Sequence, residues 1–373
     1  MGESALRKRV RSMMVAHWRP DGEGGGHTVP NAEAYPWQWL WDSCFHAIIW
    51  AELGDADRAV AELRSALSDQ DEIGFVPHIR YVGSPSPHAA FWDRPATSSI
   101  TQPPMYGHAI AQLERRGIDV PADVRARALR GLRFLLDHRR RTAKGLVTVV
   151  HPWETGCDDS PRWDHWCSGG WSSASWYDVK GKLLGTVERS SGGAPLANDA
   201  FAVAPAGFNA LVAWNAGELG LRAEADELAE ALSARWDDAL ATWVDDGPAA
   251  ATSGRIRTLD ALLPALVVGP SSVAQRSAAH AQLVDETAFG GRFGPTGVHR
   301  AEPVFEPEAY WRGSSWPQLS YLLWRSGATG LGAPLVAGAE QSGLAEHWHP
   351  DTGEALGARP QSWAGLAVLA TGR

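Results

Sequence analysis

Helical periodicity dominates this chain, and the helices that it predicts are of two kinds. Segments 55–70 and 222–243 carry apolar residues on one face and charged residues on the other. Segments 201–219 and 362–372 are instead apolar nearly all round. A helix that is apolar on every side must be buried on every side, so the pattern predicts an inner layer of helices enclosed by an outer one. The predicted fold is therefore all-α, as an (α/α)6 barrel, a double-layered helical toroid with long loops at one mouth.

Strand signals are short and isolated, and no linker separates two domains, so residues 1–373 form one predicted domain. The remaining predicted helices lie near 3–17, 41–53, 101–116, 121–140, 257–268, 271–284, 316–326, 331–344 and 361–371. Irregular segments expected to gather at the mouth and carry function are 19–39, 80–100, 151–197 and 287–315. Segment 80–100 and the Ser/Gly-rich segment 167–197 are predicted lids, the second of them mobile.

Charge and composition exclude several classes of function. The formal net charge is −9 and no basic stripe occurs, which argues against nucleic acid and against an anionic membrane surface. No apolar run reaches the roughly 18 residues of a membrane span, and the first residues lack a signal core. The few cysteines, Cys44, Cys157 and Cys167, favour a reduced, cytoplasmic setting. A small molecule is the predicted partner, and the oligomeric state is left open.

Tryptophan is unusually frequent, and it occurs where a helical core is not the obvious destination. The chain has 19 tryptophans against 9 phenylalanines and 6 tyrosines, and several lie in segments rich in Gly, Pro and Ser. Leu and Phe fill a core without an N–H group that needs a partner. A flat ring with one polar edge suits the apolar face of a sugar, so the tryptophans favour a carbohydrate site.

Residues 151–166, HPWETGCDDSPRWDHW, place acids among large rings on a loop. The acids and rings of this stretch are Glu154, Asp158, Asp159, Asp164, Trp153, Trp163 and Trp166. Pairs of acids among rings are the equipment of glycoside hydrolysis: one carboxylic acid protonates the leaving oxygen, and one carboxylate activates water or attacks directly. Composition alone does not choose which acids act, and helix or turn caps are the simplest interpretation of Asp159 and Asp164.

Three further regions combine aromatic and polar residues: 35–47, 99–110, and 308–324 together with 345–369. Asp42 is either the N-cap of a helix in a buried aromatic cluster or a sugar ligand beside stacking rings. Gln102 is either part of a helix entry or a donor and acceptor at the mouth. His347 and His349 have no third ligand at zinc-like spacing, and no Gly-x-Ser-x-Gly elbow or phosphate-binding glycine loop occurs. No metal and no cofactor are expected.

Six motifs in register make the carbohydrate hypothesis specific. In chain order they are YPWQWLWDSCFHA, GFVPHI, TQPP, TGCDDSPRWD, YWRGSSW and EHWHPDTGEALGARPQSW. From about residue 30 to the C-terminus they resemble glycoside hydrolase family 63, particularly its compact bacterial glucosylglycerate and mannosylglycerate hydrolases. The resemblance implies an (α/α)6 barrel and an inverting mechanism with Asp as general acid and Glu as general base.

The family's motifs assign roles to residues of this chain. Asp158 in TGCDDS corresponds to the general acid, and Glu346 in EHWHPDTG corresponds to the general base. Trp153 and Trp163 then supply apolar surroundings that keep Asp158 protonated near neutral pH. Positions that match the family's substrate pocket are Tyr35, Trp39, Trp41, Asp42, Gln102, Trp153, Gly156, Tyr310, Trp311, Trp316, Gln361 and Trp363. Arg189 is placed by position alone as the partner of a charged aglycone.

The expected reaction is exo-acting hydrolysis of a small α-glycoside, glucosylglycerate first and mannosylglycerate second, which releases the sugar and glycerate. Two departures from the family bear on the substrate: Asp159 stands where Asn is usual, and YWRG is followed by Ser-Ser instead of Pro. Alternatives are a hydrolase of another α-glucoside such as trehalose, a sugar epimerase that relies on paired histidines, and a sugar-binding protein without catalysis.

Overall fold

Helices make up most of the regular structure, as predicted. The computed structural model describes residues 3–21, 25–83, 88–250, 255–269 and 272–371. In these residues the α-helices are α1 Ala5–His17, α2 Leu40–Leu53, α3 Ala56–Ala66, α4 Ala89–Trp92, α5 Tyr106–Glu114, α6 Ala122–Arg133, α7 Ser173–Leu184, α8 Ala206–Glu218, α9 Arg222–Ser233, α10 Val273–Gln282, α11 Pro317–Arg325 and α12 Gly332–Gln341. Two longer 3₁₀ segments span Leu259–Leu266 and Ser362–Leu369.

Strands are short and form antiparallel pairs. The pairs are β1 Trp18–Pro20 with β2 Gly26–Thr28, β3 Gln38–Trp39 with β4 Ile79–Arg80, β5 Glu188–Arg189 with β6 Pro195–Ala197, β7 Trp236–Asp237 with β8 Thr242–Trp243, and β9 His347–Trp348 with β10 Ala355–Leu356. The strand-like run at 146–150 forms only isolated bridges, through Val147 and Val149.

Six helical elements contact one another in cyclic order. The order is α2, α5, α8, Leu259–Leu266, α11, Ser362–Leu369 and back to α2. They include the two segments whose sequences are apolar nearly all round, 201–219 and 362–372, and in α2 every residue except Glu52 is buried. Burial on every side explains the composition of these elements, because no face of such a helix meets water.

The amphipathic helices pack outside these six elements. Helix α3 lies against α2, α9 against α8, and α12 against α11. Helix α3 buries Ala59 and Leu63 on its inner face, and its first turn is fixed by Asp55, which accepts a hydrogen bond from the Arg58 amide. Both predicted kinds of helix therefore occur: α2 is buried on nearly every side, and α3 is buried on one face.

Two segments differ from the prediction. The helix expected over 222–243 ends at Ser233, and the chain then forms the β7–β8 hairpin because Trp243 is buried against Trp236 in the core. Segment 167–197, expected to be an irregular lid, contains α7 and the β5–β6 hairpin.

Some predictions fall partly outside the described residues. Residues 22–24, 84–87 and 271, which belong to the predicted segments 19–39, 80–100 and 271–284, are not among the described residues. Within the described ranges, no helix is both long and apolar enough to cross a bilayer.

Candidate active site

Two of the six cyclically packed helical elements, α2 and Ser362–Leu369, begin at one cavity. Asp42 lies in the first turn of α2, and Gln361 directly precedes the Ser362–Leu369 segment. The cavity is lined by Pro30, Tyr35, Trp39, Trp41, Asp42, Gln102, Gly156, Asp158, Tyr310, Trp311, Glu346, Gln361 and Trp363. All the predicted site residues are therefore on this wall except Trp153, Trp316 and Arg189, and Pro30 is an addition that no motif indicated.

Glu346, the predicted base, is held rigidly just before β9. Its Oε1 accepts a hydrogen bond of 2.9 Å from the Tyr35 hydroxyl, and its Oε2 accepts one of 2.9 Å from the Ala358 amide. Its backbone carbonyl accepts a further bond from the Trp363 indole N–H at 2.8 Å. Burial raises the pKa of Glu346, while the two donors to its carboxylate oppose that rise because they stabilise the charged form.

Asp158, the predicted acid, lies on a loop whose backbone is fixed by tryptophan side chains. The Trp176 indole N–H donates to the Asp158 carbonyl at 2.9 Å, and the Trp163 indole N–H donates to the Cys157 carbonyl at 3.0 Å. Trp163 therefore contacts the acid loop through the loop's backbone. The preceding Gly156 has φ +70°, a left-handed conformation that favours glycine.

Gly156 also meets the ring of Trp41 at close range. A Cβ atom built at this position would lie 2.5 Å from the Trp41 ring. Both the left-handed backbone and the missing side chain are therefore required for Gly156 and Trp41 to share the wall. The close approach at Gly156 is therefore to the Trp41 ring.

Burial raises the pKa of Asp158 to about 7. Lys180 opposes the rise, and the neighbouring charges of Asp159 and Glu346 add to it. The Lys180 ammonium pairs with Asp159 at 2.8 Å, and both side chains are largely buried. The extra acid beside Asp158 is thus a charge-compensated partner of Lys180 and not the cap suggested by its sequence position.

Three buried polar atoms of the cavity wall have no hydrogen-bond partner among the described residues. They are Asp42 Oδ1, Trp39 Nε1 and Gln361 Oε1. Burial raises the pKa of Asp42 well above its ordinary range. Asp42 does not cap α2, because the helix begins at Leu40 and Trp39 occupies the cap position. Unpartnered donors and acceptors on residues that line a cavity are suited to the hydroxyl groups of a sugar.

Stacked rings form one side of the cavity. Trp311 and Trp316 lie parallel, with ring centroids 3.7 Å apart, and Trp316 in turn stacks on His347 at 4.5 Å. Trp316 is fully buried behind Trp311, so it supports the wall without lining the cavity. Trp311 has φ +59°, a strained conformation for a bulky residue that aims its ring at the cavity.

Arg189 does not have the position predicted for it. One of its terminal nitrogens donates to the Ser99 carbonyl at 2.7 Å, and the other donates to the Ser99 hydroxyl at 3.1 Å. It also donates to the carbonyl of Gly193, which is in the same hairpin as Arg189. The guanidinium therefore holds the β5–β6 hairpin to the chain near Ser99, and neither cavity at this mouth includes it in its lining.

A second cavity adjoins the first and was not predicted. Trp153 lines this second cavity instead of the first. The two cavities share Trp39, Gln102 and Asp158, so the predicted acid stands at their boundary. The signal in the sequence was the alternation of Trp37, Trp39 and Trp41, in which Trp37 serves the second cavity and Trp41 the first.

A mostly helical fold, three carboxyl groups in a cavity of rings and the family match described next define the class of this protein: it is a glycoside hydrolase. Residues 35–364 match the model of the mannosylglycerate hydrolase MGH1-like glycoside hydrolase domain, and the chain belongs to that family. The resemblance to glycoside hydrolase family 63 is thereby confirmed.

Relatives of known activity align over most of the chain. A mannosylglycerate hydrolase of Thermus thermophilus is 29% identical over 92% of this chain and 96% of its own length. A glucosylglycerate hydrolase of Mycolicibacterium hassiacum is 27% identical over 90% of this chain and 91% of its own. The crystal structure of a GH63 mannosylglycerate hydrolase from Thermus thermophilus with Tris and D-glycerate superposes with a TM-score of 0.81 at 25% identity, covering 99% of this chain and 100% of that one.

Proposed function

We propose that this chain is an inverting, exo-acting hydrolase of small α-glycosides, with Asp158 as general acid and Glu346 as general base. The observation that carries the proposal is that Asp158 and Glu346 line one cavity in different surroundings. The pKa of Asp158 is raised to about 7, so a large fraction of it is protonated at neutral pH. Glu346 instead accepts two hydrogen bonds that favour its charged form.

In the proposed reaction, Asp158 donates its proton to the glycosidic oxygen as the bond from that oxygen to the anomeric carbon breaks. Glu346 removes a proton from a water molecule, whose oxygen attacks the anomeric carbon from the opposite face. Burial raises the pKa of Tyr35, so its hydroxyl stays protonated and keeps donating to Glu346. The unpartnered atoms of Asp42 and Gln361 are proposed to bind the sugar hydroxyls.

The cyclic contacts of the six buried elements support an (α/α)6 barrel in which these elements form the inner layer. The proposed barrel includes helices from both ends of the chain, α1 and the Ser362–Leu369 segment among them, which supports a single domain. The buried floor of the cavity, formed by Trp41, Asp42 and Gln361, supports exo action, because a chain of sugars has no exit there.

Glucosylglycerate and mannosylglycerate are the first substrates to assay, since the relatives named above act on them. Arg189 does not support a charged aglycone, because its guanidinium is bonded to Ser99. Neutral trehalase of Saccharomyces cerevisiae shares the fold with a TM-score of 0.56 at 14% identity, so trehalose belongs in the same panel as a test of the alternative. A sugar epimerase is disfavoured, because no histidine is among the described residues that line the first cavity.

An α-linked substrate is expected to release the β-anomer first, because water attacks from the face opposite the leaving group. Proton NMR of the product in the first minutes of a reaction, before mutarotation, measures this outcome. The carboxyl groups of Asp158 and Glu346 should then be separated by roughly 6.5–9.5 Å. Release of the α-anomer first would assign retention and exclude the proposed role of Glu346.

The fall of kcat/KM on the alkaline limb of the pH profile is expected to reflect deprotonation of Asp158. Since the acid must be protonated, kcat/KM should fall as the pH rises above about 7, the pKa of Asp158. Lys180→Met removes the cation that lowers this pKa, so the limb should move to higher pH. Lys182→Met is the matched control, since this neighbouring lysine is exposed. An unchanged limb in Lys180→Met would show that another group sets it.

A further inference from the structure

The second cavity lies on the far side of Asp158 from the sugar pocket, where the leaving group of a glycoside must be. It is lined by Trp37, Trp39, His78, Ile79, Tyr81, His88, Phe91, Trp92, Gln102, Trp153, Asp158 and Tyr177. An acid that protonates the glycosidic oxygen stands between the sugar and its leaving group. The chemistry of this wall therefore determines which leaving group binds, provided that the proposed function holds.

The wall offers no fixed positive charge to a carboxylate. None of its described residues is Lys or Arg. Burial lowers the pKa of His78 to about 3, so this imidazole is neutral. Asp158 is the one acid among the described lining residues, and its negative form would repel an anion.

The cations carried by neighbouring segments are already bonded elsewhere. Arg80 pairs with Asp69 at 2.7 Å, and Arg94 donates to the Gly192 carbonyl. The Lys180 ammonium lies 5.3 Å from the centre of the Trp153 ring, on which it packs while it pairs with Asp159. With Arg189 bonded to Ser99, a bound carboxylate would have to break an existing contact to gain one.

The rings of the wall form a continuous apolar surface. Trp92 and Trp153 meet with centroids 5.8 Å apart, Phe91 lies 6.0 Å from Trp153, and Trp37 lies 5.2 Å from Tyr81. The Trp92 indole N–H is satisfied by the Tyr81 hydroxyl at 2.8 Å, so it presents no free donor to the cavity. Such a wall gains free energy by burying an apolar ring and by packing against it edge to face.

We propose that this cavity binds the leaving group of the substrate, and that the preferred leaving group is an uncharged alcohol with an aromatic or other apolar ring. Glycerate, a small anion, would leave the ring surface uncovered and would meet no Lys or Arg among the described lining residues. The preference separates this chain from its relatives that are named for glycerate glycosides, and it is a property of the wall and not of the sugar pocket.

The test compares kcat/KM for the benzyl α-glycoside, the methyl α-glycoside and the glycerate glycoside, each as glucoside and mannoside. Benzyl and methyl alcohol are similar leaving groups, so their difference reports binding in the second cavity. The benzyl glycoside is expected to exceed the other two by about 10-fold or more, the effect of a well-packed ring. Trp37→Ala should remove most of that advantage, because Trp37 is part of the ring surface. Phe91→Arg, at a partly exposed position, should favour the glycerate glycoside and disfavour the benzyl one.

Equal kcat/KM for benzyl and methyl glycosides, or a glycerate glycoside that outperforms both, would overturn the inference while leaving the proposed reaction intact. Absence of hydrolysis for every α-glycoside would overturn the proposed function instead. Binding then decides the inference: quenching of tryptophan fluorescence gives Kd for the benzyl and methyl glycosides. Tighter binding of the benzyl compound, lost in Trp37→Ala, supports the cavity assignment, and equal affinities contradict it.

Discussion

Asp158→Asn and Glu346→Gln are each expected to lower kcat by at least about 10²-fold, the usual contribution of a positioned acid or base. The Asn amide is too weak an acid to protonate the glycosidic oxygen, and the Gln amide is too weak a base to take a proton from water. Each replacement keeps the volume of the side chain, so both proteins should fold. Steady-state kinetics on the best α-glycoside of the panel measures kcat, and thermal unfolding verifies the fold.

Glu354→Gln is the matched control, because this exposed acid lies beside β10 in the same hairpin region as Glu346. It should leave kcat unchanged. An α-glycosyl fluoride separates the two roles, because fluoride leaves with little need of a proton. Asp158→Asn should therefore regain much of its rate on the fluoride, whereas Glu346→Gln should not. Near-full activity in Glu346→Gln would move the role of base to Glu308 or Glu354.

The helical fold was predictable, because the amino-acid composition of each helix reflects how much of its surface is buried. Helix α2 and the Ser362–Leu369 segment are apolar on every face, and only an inner position buries every face. Helix boundaries were less predictable where tertiary packing decides. The charged, helix-like run after Arg222 ends at Ser233 because Trp243 is buried in the core, which no local pattern reveals.

Helix α7 was missed because its Ser- and Gly-rich composition is typical of a loop. A signal was present: Ser172 and Ser175 form a reciprocal capping box, in which each side chain accepts a hydrogen bond from the other residue's amide. The capping box usually has Glu or Gln at the second position, so this version is easily overlooked. The helix matters for the site, because it carries Trp176, which bonds the Asp158 backbone, and Lys180.

Residues that belong to a family motif were easier to place than a residue placed by its approximate position alone. Asp42 lies at the start of α2, and Gln361 directly precedes the Ser362–Leu369 segment. A sequence motif that matches the family therefore places each of them at the cavity. Arg189 had only its approximate position in the chain as a guide. Its partner Ser99 is 90 residues away in sequence, and a long-range contact of that kind cannot be read from local sequence.

Glu154→Gln is expected to lower the free energy of unfolding by about 3–5 kcal/mol, the cost of breaking a buried ion pair. The Glu154 and Arg139 side chains are both fully buried and are joined by two parallel hydrogen bonds, of 2.5 and 2.7 Å. The same carboxylate accepts the amide N–H groups of Thr101 and Val150. An amide NH₂ would face these donors with another donor, and the Arg139 charge would remain buried without its counterion.

Chemical unfolding in urea measures the loss, with Glu188→Gln as the matched control, because Glu188 pairs with Arg140 at the surface and should contribute little. Glu154 lies four residues before Asp158 and accepts a hydrogen bond from the Thr101 amide, next to Gln102. The variant should therefore also show a lower kcat at temperatures where it remains folded. Restoring the charge balance with Arg139→Met in the same protein should recover part of the stability, since the unpaired cation is then gone. A Glu154→Gln protein as stable as the Glu188→Gln control would show that the buried pair does not hold the acid loop in place.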